Sequence, residues 1–330
     1  MASSTRTIVA DRGDAGVRLD RVLRRHLGDV DAATRTRVQA WIEDGRVTVN
    51  GAPVRRVSTR AVLGDRVSVA LPEPKARRVM AAEDTPLDLL YEDDDLLALN
   101  KTAGVVVHPA YGHATGTVMN ALLGRARTWP AGGRPSIVGR LDKGTSGIVL
   151  VAKRPAVHAA LQRAMARADK RYLAIVYGKV PPRGEIDLRL QLDPRDRRRV
   201  VASHDAGAHS LTEFERLARA AAAPVGLALL RCRLATGRRH QIRVHLAASG
   251  WPIVGDAKYG EPRWHRVADA ALAAALQSMP RQALHAWRLT FAHPATGAQI
   301  VIEAPLPADM RQLIAAAHLV IWSSGHRVIG

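Results

Sequence analysis

Gly139-Arg140-Leu141-Asp142-Lys143-Gly144-Thr145-Ser146-Gly147 runs straight into Ile148-Val149-Leu150-Val151-Ala152. A polar, glycine-rich turn is followed by five apolar residues. A short apolar run bounded by turn residues reads as a buried strand. Working outward, Val157 to Ala168 has a helical pattern, and Tyr172 to Gly178 reads as a strand. Leu96 to Lys101 and Gly104 to His108 read as two more strands. Leu227 to Leu234 alternates around Cys232, which places that thiol in the core. Ala308 to Ala317 fits a late helix. Short strands with interspersed helices, and no regular strand–helix alternation, favour a mixed α+β sheet domain over a doubly wound one.

The first 70 residues read as a separate small unit. Leu19, Val22, Leu23 and Leu27 make a helical stripe. Arg35 to Asp44 fits a second helix, with Val38, Trp41 and Ile42 on one face and Gly45 just past its end. Arg46 to Gly51 alternates like a strand and ends in Asn50-Gly51, a hairpin signal. Val62, Val67 and Val69 suggest a closing strand. Pro72 to Arg78 has two prolines, charges and no apolar face, as a linker would. The expected divisions are therefore a unit at 1–71, a linker at 72–86, a larger domain at 87–318 and a tail at 319–330.

Composition narrows the function. The chain has 330 residues, 47% hydrophobic and 24% charged, as a folded protein does. Cys232 is the single cysteine, which excludes a disulfide scaffold. No apolar run approaches the roughly 18 residues of a membrane span, and the N-terminus lacks the apolar core of a signal peptide. The expected location is the cytoplasm. The formal net charge of +19 points to a polyanionic partner. No basic helix with bulky apolar anchors is present, which favours nucleic acid over a membrane surface. The first 70 residues hold 13 basic and 8 acidic residues, so the excess is spread along the chain and not gathered in a tail.

Three stretches could carry chemistry. The Asp142 turn either uses its carboxylate to cap backbone N–H groups, or holds it ionised beside a guanidinium as a nucleophile or base. Thr236 to Leu246 reads as a turn and then a helix ending at Gly250, with His240 and Arg243 three apart. Basic residues at a helix start oppose the helix dipole, which suits RNA phosphates; a solvated basic face is the alternative. Tyr172, entering a strand behind Lys170-Arg171, is either core or a flat ring for stacking on a base. No dinucleotide or phosphate-binding glycine loop is present. His108 with His113, and His240 with His245, could approach a metal, but none sits in His-Glu-x-x-His spacing and no cysteine cluster supports them.

Taken in order, Arg140-Leu141-Asp142-x-x-Thr145-Ser146-Gly147, Lys170-x-Tyr172 and Thr236-Gly237-Arg238-x-His240-Gln241-Ile242-Arg243-Val244-His245 resemble the RluA-type pseudouridine synthases. Asn100-Lys101-x-Ala103-Gly104-Val105-Val106-Val107-His108-Pro109 resembles that family's first motif. Pro252-Ile253-Val254-Gly255-Asp256-x-x-Tyr259-Gly260 is similar to its conserved extension. The match spans roughly residues 87 to 305. The N-terminal unit resembles the alpha-L RNA-binding module of ribosomal proteins through Thr34-Arg35-Thr36-Arg37-Val38-Gln39, Ile42, Gly45, Val47 and Val49-Asn50-Gly51. Together they resemble the members acting on large-subunit ribosomal RNA, the C and D types.

The resemblance implies a mixed, mainly antiparallel β-sheet catalytic domain with flanking helices, plus a small α/β RNA-binding domain. It implies Asp142 as the catalytic aspartate, Tyr172 as the ring packing on the target base, and Arg243 as the basic partner of Asp142. Arg140 would enter the stack that the target uridine leaves, and Arg238, His240, Arg35 and Arg37 would contact RNA. No cofactor and no metal are implied, because the isomerisation changes no oxidation state and imports no group. The implied partner is 23S ribosomal RNA or a large-subunit precursor, bound by a monomer. A transfer-RNA synthase and a non-catalytic ribosome-assembly factor are the competing classes. Two positions depart from the pattern. The family usually has His before Arg-Leu-Asp, where this chain has Gly139, and Lys-Pro where it has Lys101-Thr102. Neither alters the implied catalytic set.

Overall fold

A computed structural model describes residues 4–30, 33–71, 80–109, 112–131, 133–220, 225–319, 322–323 and 326–327. The chain divides into two compact units, Met1–Val79 and Met80–Gly330. Of the expected linker at 72–86, residues 72–79 lie outside the described residues, as does most of the tail after Leu319, and residues 80–86 fall within the second unit.

The first unit is a four-stranded antiparallel sheet with two helices. Its elements are β1 (Thr5–Val9), α1 (Leu19–His26), α2 (Arg35–Glu43), β2 (Val47–Val49), β3 (Ala52–Val54) and β4 (Arg66–Ala70). The strand order is β1-β4-β2-β3. α1 buries Leu19, Val22 and Leu23, and α2 buries Val38, Trp41 and Ile42. They share one core with Val47, Val67 and Val69. α1 has Asp20 in its first turn and Arg24, Arg25 and His26 in its last, which suits the helix dipole. Asn50 and Gly51 both have positive φ, the backbone that a tight two-residue hairpin between β2 and β3 requires. Val62 is not part of the closing strand. It is 65% exposed in the loop before β4, where its N–H donates to Asp65.

The second unit is built on one eleven-stranded sheet. In chain order its elements are β5 (Leu89–Glu92), β6 (Leu96–Lys101), α3 (Val118–Arg125), β7 (Ser136–Val138), β8 (Ser146–Ala152), α4 (Pro155–Arg167), β9 (Asp169–Tyr177), β10 (Arg183–Leu192), β11 (Val200–Ser203), β12 (Ala208–Arg219), β13 (Leu227–Leu234), α5 (Gln241–Ala248), α6 (Ala270–Gln277), β14 (Leu284–Ala292), β15 (Gln299–Glu303) and α7 (Ala308–Ala316). The order along the sheet is β11-β10-β12-β13-β9-β14-β8-β6-β5, with β15 on β14 and β7 on β8. Every pairing is antiparallel except β14 with β8.

β8 is apolar without alternation because both of its faces are covered. Ile148 and Leu150 join Leu96 and Ala98 of β6 against Leu161 of α4. Val149 and Val151 join Leu97 and Leu99 against Val118, Met119 and Leu122 of α3. Each such side chain contributes roughly 1.5–3 kcal/mol on full burial, so the segment after the Asp142 turn is firmly placed. Ala81 and Glu83 also bond to α3, through Asn120.

Gly104 to His108 does not form a strand. Gly104 has a φ of +88°, and the carbonyls of Val106 and Val107 accept from the first N–H groups of α3. The Val105 carbonyl accepts from Lys101 Nζ at 2.9 Å. Helix and lysine donors thus take the acceptors that a strand ladder would have used.

Candidate active site

Three segments converge at one end of the strands β8, β14 and β9. Asp142 lies in the turn just before β8. The N–H of Thr145 donates to the Asp142 carbonyl at 3.0 Å, closing that turn. Lys101, 2% exposed, donates Nζ to the carbonyls of Thr102, Val105 and Lys143, so the first motif and the Asp142 turn are tied by one buried ammonium. Burial, then the charge of Arg281, pushes that ammonium down to about 8. Gly147 has a φ of +107°, and a Cβ there would lie 2.2 Å from the Ala286 carbonyl oxygen. Only glycine lets β8 approach β14 this closely.

Arg243 comes from α5, and the helix starts later than its sequence pattern implies. His240 is left-handed, with a φ of 56°, and α5 begins at Gln241. Arg238, Arg239 and His240 therefore precede the helix, and His240 and Arg243 are not successive positions on one helical face. Gln241 sets this boundary. Its Oε1 accepts from Thr236 Oγ1 at 2.8 Å and Arg238 N at 2.9 Å, while Nε2 donates to Leu211 O and Thr212 Oγ1. All its hydrogen-bonding capacity goes into pinning the turn that leads to Arg243.

The Arg243 side chain is 8% exposed and its guanidinium serves two acids. Nη1 donates to Asp142 Oδ2 at 2.7 Å. Nε and Nη2 donate in parallel to Asp256 at 2.7 and 2.8 Å. Burial opposes ionisation of Asp256, but Arg243 and the N–H groups of Lys258 and Tyr259 outweigh it and hold the carboxyl below its usual range. The guanidinium also lies 5.0 Å from the centre of the Tyr259 ring. Tyr259 and His240 Nδ1 share a 2.7 Å hydrogen bond. His240 Nε2 stands 3.7 Å from Asp142 Oδ1, and burial pushes the ring down to about 4, so it is neutral at physiological pH.

A cleft of about 550 Å³ contains Asp142, Tyr172, Arg243, Arg140, Arg238 and His240 in its wall. The structure thus brings together all six candidates that the sequence places in this unit. Tyr172 lies on β9 opposite Cys232 and Ala286. Burial and the negative charge of Asp142 push its hydroxyl up to about 12. Arg140 is exposed and makes no side-chain hydrogen bond among the described residues. Arg35 and Arg37 are exposed on α2 of the first unit. Sequence reasoning assigned no role to Asp256 or Tyr259, although both stand in a quoted motif. It also passed over His158 and Arg288, which line the same cleft.

Among the described residues, one group has metal-ligating spacing: Asp11, Asp14 and His26. Arg25 Nη1 already donates to Asp11 at 2.8 Å and Asp14 at 2.9 Å, so a guanidinium fills the cationic place there. His240 and His245 do not form such a group.

The family model described as RNA pseudouridylate synthase matches residues 95–248, and the S4 domain model matches residues 17–67. An uncharacterized RNA pseudouridine synthase of Bacillus subtilis (strain 168) is 41% identical over 287 residues, covering 85% of this chain and 88% of that protein. A ribosomal large subunit pseudouridine synthase D of Xylella fastidiosa (strain Temecula1) is 40% identical over 316 residues, covering 95% and 92%. Among solved structures, human RNA pseudouridylate synthase domain containing 4 superposes with a TM-score of 0.55 at 23% identity, covering 70% of this chain and 93% of that one. Its likeness is one of fold.

Proposed function

The chain belongs to the RNA pseudouridylate synthase family, whose members isomerise uridine to pseudouridine in RNA, and from that premise we propose that its substrate is large-subunit ribosomal RNA and that Asp142 is its catalytic carboxylate. The observation that carries the assignment is the 2.7 Å charge-assisted bond from buried Arg243 to Asp142 at the wall of the cleft. It fixes one carboxylate oxygen, while the other stands 3.7 Å from His240 Nε2.

The reaction breaks the N1–C1′ bond, turns the uracil, forms the C5–C1′ bond, and moves the C5 proton out as N1 gains one. Asp142 acts at the ribose, by attack on C1′ or by removal of a ribose proton. Tyr172, whose hydroxyl stays protonated near neutrality, offers its ring to the face of the base. A uridine within a stack must first be flipped out, which costs a few kcal/mol. Arg140 fills the vacated place, and Arg238 and His240 contact the flanking RNA. Arg35 and Arg37 of the S4-like unit add phosphate contacts.

The names of the relatives that match over most of the chain favour ribosomal over transfer RNA. No helix among the described residues is long and apolar enough to cross a membrane. We place the protein in the cytoplasm with the ribosome, acting as a monomer.

The experiment is a map of pseudouridine across the host's RNA with wild-type protein, without it, and with Asp142→Asn. Loss of large-subunit sites in the last two strains is the expected result. Purified Asp142→Asn should be slower by about four decades or more. Activity within tenfold of wild type rejects Asp142, and sites lost from transfer RNA alone reject the substrate.

A further inference from the structure

Joined to the cleft through Arg239, the turn between β10 and β11 carries positive charge that the chemistry at Asp142 does not use. Arg195, Arg197, Arg198 and Arg199 fall within five positions of the turn between β10 and β11. The first three are exposed. Two more cations reach this turn from elsewhere: Arg239 Nη2 and Lys258 Nζ both donate to the Arg198 carbonyl. The acids present are largely engaged by the turn itself. Asp193 accepts from Arg195 N, and Asp196 accepts from Arg198 N and the Arg198 guanidinium. Arg195, Arg197 and Arg239 have no carboxylate partner among the described residues.

This crowd of like charge is held in place. Asp193 N donates to Arg199 O at 3.1 Å and Arg199 N to Asp196 O at 2.8 Å, closing the turn. Val200 N donates to Tyr259 Oη at 3.0 Å, and the Arg199 guanidinium lies 5.4 Å from the Tyr259 ring centre. Burial, followed by the repulsion of Arg239 and Arg243, lowers the affinity of Lys258 for its proton. Fixing mutually repelling cations on a surface costs stability and adds nothing to the core. Their use is to meet a polyanion with little further ordering.

We propose that the Arg195–Arg199 turn, backed by Arg239 and Lys258, clamps the phosphates of the RNA strand beside the target nucleotide. The inference rests on reading the protein as an RNA-modifying isomerase and adds where the strand runs. Arg239 belongs to both places: it caps the turn and lines the cleft next to His240. A strand that delivers a base to Asp142 would continue past Arg239 onto this turn.

The test compares two full-length variants with equal loss of charge. Arg195→Gln/Arg197→Gln/Arg198→Gln removes the clamp. Arg127→Gln/Arg183→Gln/Arg219→Gln removes three exposed arginines elsewhere in the same unit. The probes are a transcript of the large-subunit segment holding the mapped uridine and a plain RNA hairpin. At about 0.7–0.9 units of slope per phosphate contact, the clamp variant should flatten log affinity against log salt by about 2. Its KM should rise at least tenfold, with kcat falling less. The control should shift the slope by under half a unit. Equal shifts in both variants, or an unchanged slope in the first, overturn the proposal. So does unchanged binding to both RNA probes with weakened binding to ribosomal particles, which would assign the surface to a protein. Slopes need no turnover, so absence of pseudouridine formation by wild type would reject the enzymatic reading without altering this comparison.

Discussion

Arg243 Nη1 donates to Asp142 Oδ2 across 2.7 Å, joining residues 101 positions apart in the chain. The same guanidinium grips Asp256, whose side chain is 1% exposed. Asp256 thus fixes Arg243, and Arg243 fixes Asp142. A planar fork can grip one carboxylate with two parallel bonds and still donate to a second in a fixed direction; an ammonium is a point charge without that geometry.

Arg243→Ala should therefore lose more than activity. It strands Asp256 in a buried place, and breaking a buried pair on one side costs about 3–5 kcal/mol. Urea unfolding should show that loss. Arg243→Lys should keep much of the stability yet remain more than tenfold slower than wild type. A lysine variant of normal rate would mean that the fork geometry is irrelevant to Asp142.

Acid should weaken the fold in two separate windows. Burial pushes His240, His245 and His285 down to about 4 from an ordinary 6.5. The unfolded chain then takes up protons before the folded one, so stability falls as pH drops from about 6.5 toward 4. At about 1.4 kcal/mol per pH unit, the full effect is on the order of 3 kcal/mol per ring. Asp256 is lowered too, because against the effect of burial Arg243 favours its ionised form, so its contribution to stability is complete above the ordinary carboxylate range and disappears only in stronger acid. Denaturation midpoints at pH 7, 6, 5 and 4 should decline steadily. A flat profile from pH 7 to 5 would show that these rings protonate freely in the fold.

How much of this the sequence displays depends on the distance over which each feature is decided. β8 and the two helices of the first unit are legible because local apolar spacing sets them. Val105, Val106 and Val107 mislead because their carbonyls are claimed by Lys101 and by α3, partners that no local pattern reveals. The start of α5 is misjudged for a related reason: the Gln241 side chain folds back on its own turn and on β12. β10 has no counterpart in the expected elements although its sequence carries the signal, since Ile186, Leu188, Leu190 and Leu192 alternate strictly with polar residues. Asp142, Tyr172 and Arg243 are recognisable as ordered motifs, but Asp256 as the second anchor of Arg243 appears only once the chain is folded.

Gly147 should tolerate no side chain. Its φ of +107° is unfavourable for any L residue, and a Cβ would meet the Ala286 carbonyl at 2.2 Å. Gly147→Ala must push apart the one parallel pairing in the sheet, just behind the Asp142 turn. The expected cost is about 3 kcal/mol, at the upper end for a point change, with activity lost in the protein that remains folded. A midpoint shift worth less than about 1 kcal/mol would show that β8 and β14 separate easily.

The roles assigned to Arg140 and Arg243 can be separated by the substrate. Arg243 is buried and bonded to two acids, so its effect on Asp142 does not depend on how the uridine arrives. Arg140 is exposed at the cleft without a side-chain partner among the described residues. If it fills the place that the target leaves, it stabilises the flipped state alone. A target that is already unpaired needs less of the few kcal/mol that flipping costs, and each 1.36 kcal/mol is tenfold in rate. Arg140→Ala should thus be slower by about 10- to 100-fold on a paired target and by less than about fivefold on the same sequence unpaired. Arg243→Lys should show the same deficit on both. Single-turnover rates on the two substrates decide it. An equal deficit for Arg140→Ala on both would remove it from the stack and make it an ordinary phosphate contact.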